Sequence, residues 1–390
     1  MSQHEYEHAP NASVTFELKN RANSLLSEYV QPEELSQRLE AFRHGWTPEE
    51  LAYLAGLQNQ DGDAQFSEAY LNYLADSPLP KVDVSLNERG DIAAETTGAW
   101  PLVTFWETVV MSELNELYFD NKLKAEGSSL NKLYDEGNRR LDQKIATLKE
   151  RPDIKFADFG TRRRFSYGWH KHVVERIAQE LPNNFIGTSN IYLAHTLGLP
   201  PIGTYAHELP MVYAAQAEKE GRNPLEGHRE MLEDWEDTYR GDLSTALTDT
   251  FTSEFFFADF TKDQAEAWKG LRHDSGDPIE FGEQVIAFYE TYDINPQDKT
   301  IVFSDGLDLD TIVLLADHFK NKIGVVFGWG TTLTNDLGIK TNNIVMKAVE
   351  VDGVSTVKLS DNVGKHTGED EKITQYQEYV DTRVKQSVTV

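Results

Sequence analysis

From about residue 140 to residue 340 the chain repeats one pattern: a short apolar run, a glycine or polar residue, then a stretch with apolar residues three or four apart. The runs are IKFADFG, FIGTS, PIGTYAH, TALTD, GLRHD, TIVFSDG and IGVVFGWGT. The stretches between them carry helical spacing, as in Val173, Val174, Ile177 and Leu181, or Val285, Ile286 and Tyr289. Strand and helix alternating over such a length require parallel pairing. The pattern predicts an α/β architecture, closed as an irregular (β/α) barrel, with an open doubly wound sheet as the alternative.

The reactive side chains fall at equivalent points of this repeat. Arg162, Ser189, His207, Asp249, Arg272, Asp274, Asp305 and Gly330 all lie at or just after the C-terminal end of a predicted strand. In a barrel those ends share one mouth, where active sites of the fold are built. Loops unrelated in sequence thereby become one candidate site. The alternative, ordinary surface loops, requires three Asp, two Arg and a His to coincide by chance.

The flanks read differently. VTFELK alternates as a strand, and TPEELAYLAG carries a Thr cap, Pro48 at the first helical position and Glu50 at the third. KVDVSL and DIAAETTG flank Asn87 to Gly90 as a hairpin. After residue 340, NIVMKAVEVDGVSTVKLSD reads as a second hairpin around Asp352 and Gly353, followed by a Glu- and Gln-rich tail expected to form a solvated helix. An α+β domain is therefore expected over residues 1–135, completed by 341–390, beside a barrel over 136–340.

Composition narrows the partners. The chain has 390 residues, 39% hydrophobic and 11% aromatic, enough for a folded core. A formal charge of −28 disfavours non-specific binding to nucleic acid or anionic membranes. No apolar run approaches the length of a membrane span, and the N-terminus has no secretory pattern. The absence of cysteine excludes disulfides, thiolate metal sites and a cysteine nucleophile, and fits a cytoplasmic chain.

Three stretches carry the chemistry. GTRRRF places three guanidinium groups side by side in an acidic chain, read either as an anion site or as a surface triplet paired with Asp and Glu. VVFGWGTTLTND offers closely spaced glycines and hydroxyls where the last strands of a barrel commonly hold a phosphate, with Asp305 and Gly306 nearby. RHDSGDP sets Arg272 two residues from Asp274, an anion holder beside a carboxylate that can face developing positive charge. Asp277 and Pro278 suit a helix start, and Asp158 suits neutralising the arginines. A lone histidine such as His207 is more often core filling than chemistry. His170 and His172 straddle one residue on a helix and are expected on the surface. No Gly-x-Ser-x-Gly elbow, Walker loop, dinucleotide fingerprint or histidine pair at zinc spacing is present, so no resident metal is expected.

The series DFGTRRRFS, FIGTSN, PIGTYAHE, ALTDTF, LRHDSGDP, VFSDGLDLD and FGWGTTLTND, in this order from about Val14 to Lys365, closely resembles the nicotinate phosphoribosyltransferases, a type II phosphoribosyltransferase family. The resemblance implies transfer of the phosphoribosyl group of 5-phosphoribosyl 1-pyrophosphate (PRPP) to nicotinate, giving nicotinate mononucleotide and pyrophosphate in NAD salvage. ATP hydrolysis would be coupled, with Mg2+ accompanying PRPP and ATP, in a homodimer with shared active sites. It also implies roles. Phe159 would stack on the pyridine ring, with Arg162 beside it and Ser189 facing the ring substituent. Arg272 and Asp274 would bracket ribose and pyrophosphate, with Asp249 close by. Asp305, Gly306, Gly330 and Thr331 would surround the 5′-phosphate. His207 matches the histidine that ATP phosphorylates, and a phosphohistidine would add charge and acceptor oxygens able to draw basic loops shut.

Two departures stand against the family pattern. An Asp-x-Tyr-Lys-Leu-x-Met-like stretch that usually precedes the Gln-rich helix is not found ahead of MSQHEYEHAP, which leaves about twenty residues, and a tyrosine that stacks on the base across the dimer, unaccounted for. Trp329 replaces a smaller aliphatic residue inside the Gly-x-Gly loop, where it could crowd the mouth or cap it. Nicotinamide or quinolinate phosphoribosyl transfer, or an impaired homologue serving as a binding or regulatory protein, remain the alternatives. Ser189 in place of an Asp speaks against nicotinamide.

Overall fold

The computed structural model describes residues 1–387. Ser13–Asn20 (β1), Asp83–Leu86 (β2) and Ile92–Ala99 (β3) come first. Six short strands follow: Phe156–Asp158 (β4), Phe185–Thr188 (β5), Thr245–Leu247 (β6), Gly270–His273 (β7), Thr300–Phe303 (β8) and Gly324–Trp329 (β9). Ile344–Val351 (β10) and Val354–Ser355 (β11) end the series.

Two sheets result. The first is antiparallel, ordered β11-β10-β1-β3-β2, so both expected hairpins form and the C-terminal one pairs directly with the first strand. Val14, Phe16 and Leu18 alternate inward along β1, the period that a half-buried strand requires. The helix Pro48–Gly56 begins with the expected capping box between Thr47 and Glu50. The expected break after residue 135 falls inside the helix Leu130–Lys149.

The second sheet is parallel, ordered β5-β4-β9-β8-β7-β6. One of the seven expected runs is not a strand. PIGTYAH crosses the opening between β5 and β6 as an irregular stave, with Thr188 bridged to Pro201 and the Thr204 hydroxyl donating to the carbonyl of Thr245 at 2.6 Å. The Tyr205 hydroxyl accepts from the Leu247 amide at 3.0 Å. Backbone pairing holds on the β5 side, where the Thr188 amide bonds to the Pro200 carbonyl at 3.1 Å and the Ile202 amide to the Thr188 carbonyl at 2.9 Å, and side chains close the barrel on the β6 side. Gly187 makes the seam possible, because a Cβ there would meet the Pro200 carbonyl oxygen at 2.2 Å. The tail forms the helix Asp370–Ser387, as expected, but it buries Tyr376 and Val380 against the barrel helices.

Candidate functional site

The C-terminal ends of the parallel strands open onto a cavity of about 1190 Å³ lined by Phe159, Arg162, Ser189, Arg272, Asp274, Asp305, Gly306, Gly330 and Thr331. Nine of the eleven candidates thus share one wall-to-wall space. His207 and Asp249 sit just behind it, 8% and 1% exposed.

His207 is the last residue before the helix Glu208–Lys219. Its Nε2 lies 2.9 Å from Asp274 Oδ2, 2.9 Å from Lys358 Nζ and 3.5 Å from Asp249 Oδ1, and its Nδ1 lies 3.1 Å from the Thr250 hydroxyl. That hydroxyl serves either neutral tautomer, donating to Nδ1 or accepting from it. Burial first, and Lys358 second, push the imidazole down to about 4, so it is neutral and nucleophilic at physiological pH. The next residue fixes the backbone: Glu208 Oε1 accepts from Trp100 Nε1 at 3.2 Å and the Thr104 hydroxyl at 2.5 Å, and burial raises its carboxyl to about 7.

Asp274 is held by Arg272 at 3.0 Å and lies 2.8 Å from the Ser304 hydroxyl, which in turn accepts from Arg272 Nε. Burial would raise its pKa; Arg272 leads the opposing effects and holds it well below the carboxylate range. Asp249 accepts from the Ser275 hydroxyl at 2.6 Å and from Lys358 at 3.3 Å. Burial works against its charge too, and the imidazole and ammonium facing it more than offset that. Asp249 therefore acts on His207 and Lys358, not on the cavity.

The arginine triplet divides residue by residue. Arg164 is structural, bonded to Glu113 at 3.1 Å and close to Glu116. Arg162 reaches the cavity but donates to Glu107 at 2.6 Å; desolvation works against its charge and Glu107 more than restores it. Arg163 lines the cavity with no ion pair among the described residues. Asp158 does not neutralise any of them. It is fully buried and accepts from His170 at 2.7 Å, the Thr188 hydroxyl at 2.7 Å and the Gly160 amide at 2.8 Å. His170 is accordingly a core residue, 0% exposed, because Asp158 waits on the inner face of its helix. His172 is part-buried and lies 2.8 Å from Asn138 Oδ1.

Phe159 packs over Gly328, where a Cβ would meet the ring at 2.6 Å, and Arg272 stands 5.9 Å from its centroid. Ser189 is exposed to the cavity, its amide bonded to the Asp158 carbonyl. Gly306 takes a left-handed φ of 63°, and Asp305 binds Lys365 at 2.7 Å. Trp329 neither crowds nor caps the mouth: it is 0% exposed, points into the core and donates to the Thr332 hydroxyl at 2.7 Å. Asp277 caps its helix as expected.

Sequence reasoning missed the cations of the last segment. Lys358, 3% exposed, and Lys365 reach His207, Asp249 and Asp305 from beyond the second hairpin, and Lys347 of β10, pushed down to about 8 chiefly by burial, lines a recess beside His207. A lysine between apolar neighbours, as in VKL, was the available signal. His207, Asp249 and Asp274 hold three ligand atoms within 4.8 Å of one another, the spacing of a cation site. Lys358 already supplies the cation, so the trio does not fit a resident metal ion.

A parallel barrel whose mouth gathers a neutral histidine, ionised carboxylates, several cations and a phosphate-sized glycine loop defines a transferase of anionic, phosphorylated substrates. The comparisons with known proteins make this specific. Residues 154–383 match the nicotinate phosphoribosyltransferase (NAPRTase) family, and residues 1–115 match its N-terminal domain. A nicotinate phosphoribosyltransferase of Chromobacterium violaceum is 39% identical over 382 residues, covering 94% of this chain and 90% of that protein. Among solved structures, the nicotinate phosphoribosyltransferase of Porphyromonas gingivalis superposes with a TM-score of 0.87 at 30% identity, over 97% of this chain and 96% of that one. That of Vibrio cholerae gives 0.81 at 28% identity, over 99% and 91%. The chain belongs to the nicotinate phosphoribosyltransferase family, and it is an enzyme of NAD biosynthesis.

Proposed function

We propose that the chain joins nicotinate to PRPP, releasing pyrophosphate and forming nicotinate mononucleotide, with ATP hydrolysis coupled through phosphorylation of His207. The observation that carries this reading is the junction at one mouth of Phe159, Ser189, Arg272, Asp274 and a neutral His207. The pyridine nitrogen forms the new bond to the anomeric carbon as the carbon–oxygen bond to pyrophosphate breaks, its electron pair leaving on oxygen. No base is needed. The anomeric carbon gains positive charge, which the ionised Asp274 stabilises, while Arg272 holds the departing anion. Ser189 offers a neutral donor to the nicotinate carboxylate. Mg2+ enters this reading only with PRPP and ATP, since Lys358 takes the place a resident ion would need. A homodimer with shared sites, working in the cytoplasm, belongs to the same proposal; among the described residues no helix is long and apolar enough to cross a membrane.

Pyrophosphate release from PRPP is the test, with nicotinate or nicotinamide, with and without ATP. Nicotinate should be turned over far faster, and ATP should stimulate it. His207→Asn should keep a slow ATP-independent reaction and lose the stimulation. An ATP-stimulated variant, or wild type without acid-labile phosphate after ATP, sinks the assignment of His207.

A further inference from the structure

Acidic side chains outnumber Lys and Arg by 65 to 37, yet two neighbouring guanidinium groups, one of them in the cavity wall, make no ion pair and no side-chain hydrogen bond among the described residues. One is Arg163, in the cavity wall with Gly330, Thr331 and Thr341. The other is Arg21, just past the end of β1 and near enough to repel it. Desolvation, followed for Arg163 by the charge of Arg162, lowers both, Arg163 to about 10. The first carboxylate that attracts Arg163, that of Asp305, is already bonded to Lys365 at 2.7 Å. Meanwhile the Arg163 backbone is fixed: its carbonyl accepts from Asn335 Nδ2 at 2.8 Å and Asn115 Nδ2 at 3.2 Å. A rigidly based, desolvated and unpaired cation facing a cavity is costly unless a ligand anion completes it.

We propose that Arg163, backed by Arg21, is the cationic reader of the 5′-phosphate in the phosphoribosyl substrate and in its mononucleotide product. The assignment rests on the function proposed above. A phosphate dianion matches two guanidinium groups and accepts paired N–H donors, whereas the nicotinate carboxylate carries one charge and belongs with Phe159 and Ser189. The glycines at 306 and 330 admit the phosphate closely, and Arg163 supplies the charge they lack.

Calorimetric titration of wild type, Arg163→Gln and Arg21→Gln tests this with four probes: nicotinate mononucleotide, nicotinate riboside, pyrophosphate and ATP. Arg163→Gln should weaken the mononucleotide by about thirtyfold, as loss of a charged hydrogen bond does, and leave the other three within about threefold. Arg21→Gln should weaken the mononucleotide by a smaller factor. Equal losses for mononucleotide and riboside overturn the proposal, because the arginine then reads the base or shapes the fold. Selective loss of ATP or pyrophosphate overturns it in favour of another phosphate. An unaffected Arg163→Gln refutes this inference alone, while a wild type that binds no mononucleotide and turns over no nicotinate refutes the function beneath it.

Discussion

The ammonium of Lys358 lies 2.9 Å from Nε2 of His207, and removing its charge has a consequence that can be calculated. At an effective dielectric of about 20, two unit charges about 3 Å apart repel by roughly 5 kcal/mol before other groups offset it. Lys358→Gln keeps a hydrogen-bond donor on Nε2 and removes that repulsion. Burial, the larger cause of the depression to about 4, stays, but Asp274 at 2.9 Å and Asp249 at 3.5 Å now act unopposed. The imidazole pKa should rise by at least about one unit, or about 1.4 kcal/mol in favour of imidazolium. The stability consequence has the same origin. A folded-state value below the unfolded one means that the unfolded chain takes the proton first, so His207 withdraws about 2 kcal/mol of stability between about pH 8 and pH 5. The variant should lose less over that window. Histidine-labelled protein followed by NMR against pH gives the titration directly, with His207→Asn identifying the resonance. A His207 in Lys358→Gln that still titrates at about 4 or below would show that burial alone sets its protonation, and that Lys358 has no such control.

Three further outcomes follow from the same geometry. Ser189→Asp sets a carboxylate against the nicotinate charge and should lower kcat/KM for nicotinate about a hundredfold, some 2.7 kcal/mol, while improving nicotinamide relative to it; a ratio of the two specificity constants unchanged within about threefold removes residue 189 from the substituent. Gly328→Ala drives a Cβ to 2.6 Å from the Phe159 ring and should raise KM for nicotinate more than for PRPP, as steady-state kinetics with each substrate varied will show. Asp158→Asn removes the buried charge and puts an NH2 donor where one carboxylate oxygen accepted, against either the Gly160 amide or the His170 and Thr188 donors, and should cost about 3 kcal/mol in urea unfolding; a loss below about 1 kcal/mol means the network is not a structural hub.

What the sequence made legible was what local periodicity encodes. Six of the seven apolar runs are strands of one parallel sheet, and because each ends at the same edge, the residues that follow them meet at one mouth. The seventh run is only half a strand: around Pro201 it pairs by backbone with β5, through the Thr188 amide on the Pro200 carbonyl and the Ile202 amide on the Thr188 carbonyl, and it meets β6 through the side chains of Thr204 and Tyr205 instead. His170 was misplaced because spacing fixes only the angle between two helical side chains, not which of them faces the core; the buried Asp158 decides that.

The cations were hidden by a different kind of distance. Lys358 is 151 residues from His207, and Lys365 is 60 from Asp305, so no motif contains either pair. They meet because β10 pairs with β1, which places the chain after β11 over the open end of the barrel. The Leu359 amide bonds to the Thr250 carbonyl at 2.9 Å, and Asp361 accepts from the Ser253 amide and hydroxyl at 2.8 and 2.6 Å. Those three bonds clamp the segment carrying Lys358 to the loop carrying Asp249 and Thr250. Lys358 and Asp249 thus reach His207 from two sheets on one fastened unit, while Asp274 comes separately from the loop after β7. A change that draws Lys358 away from His207 while Asp249 stays in place should move the histidine's titration in the same direction as Lys358→Gln.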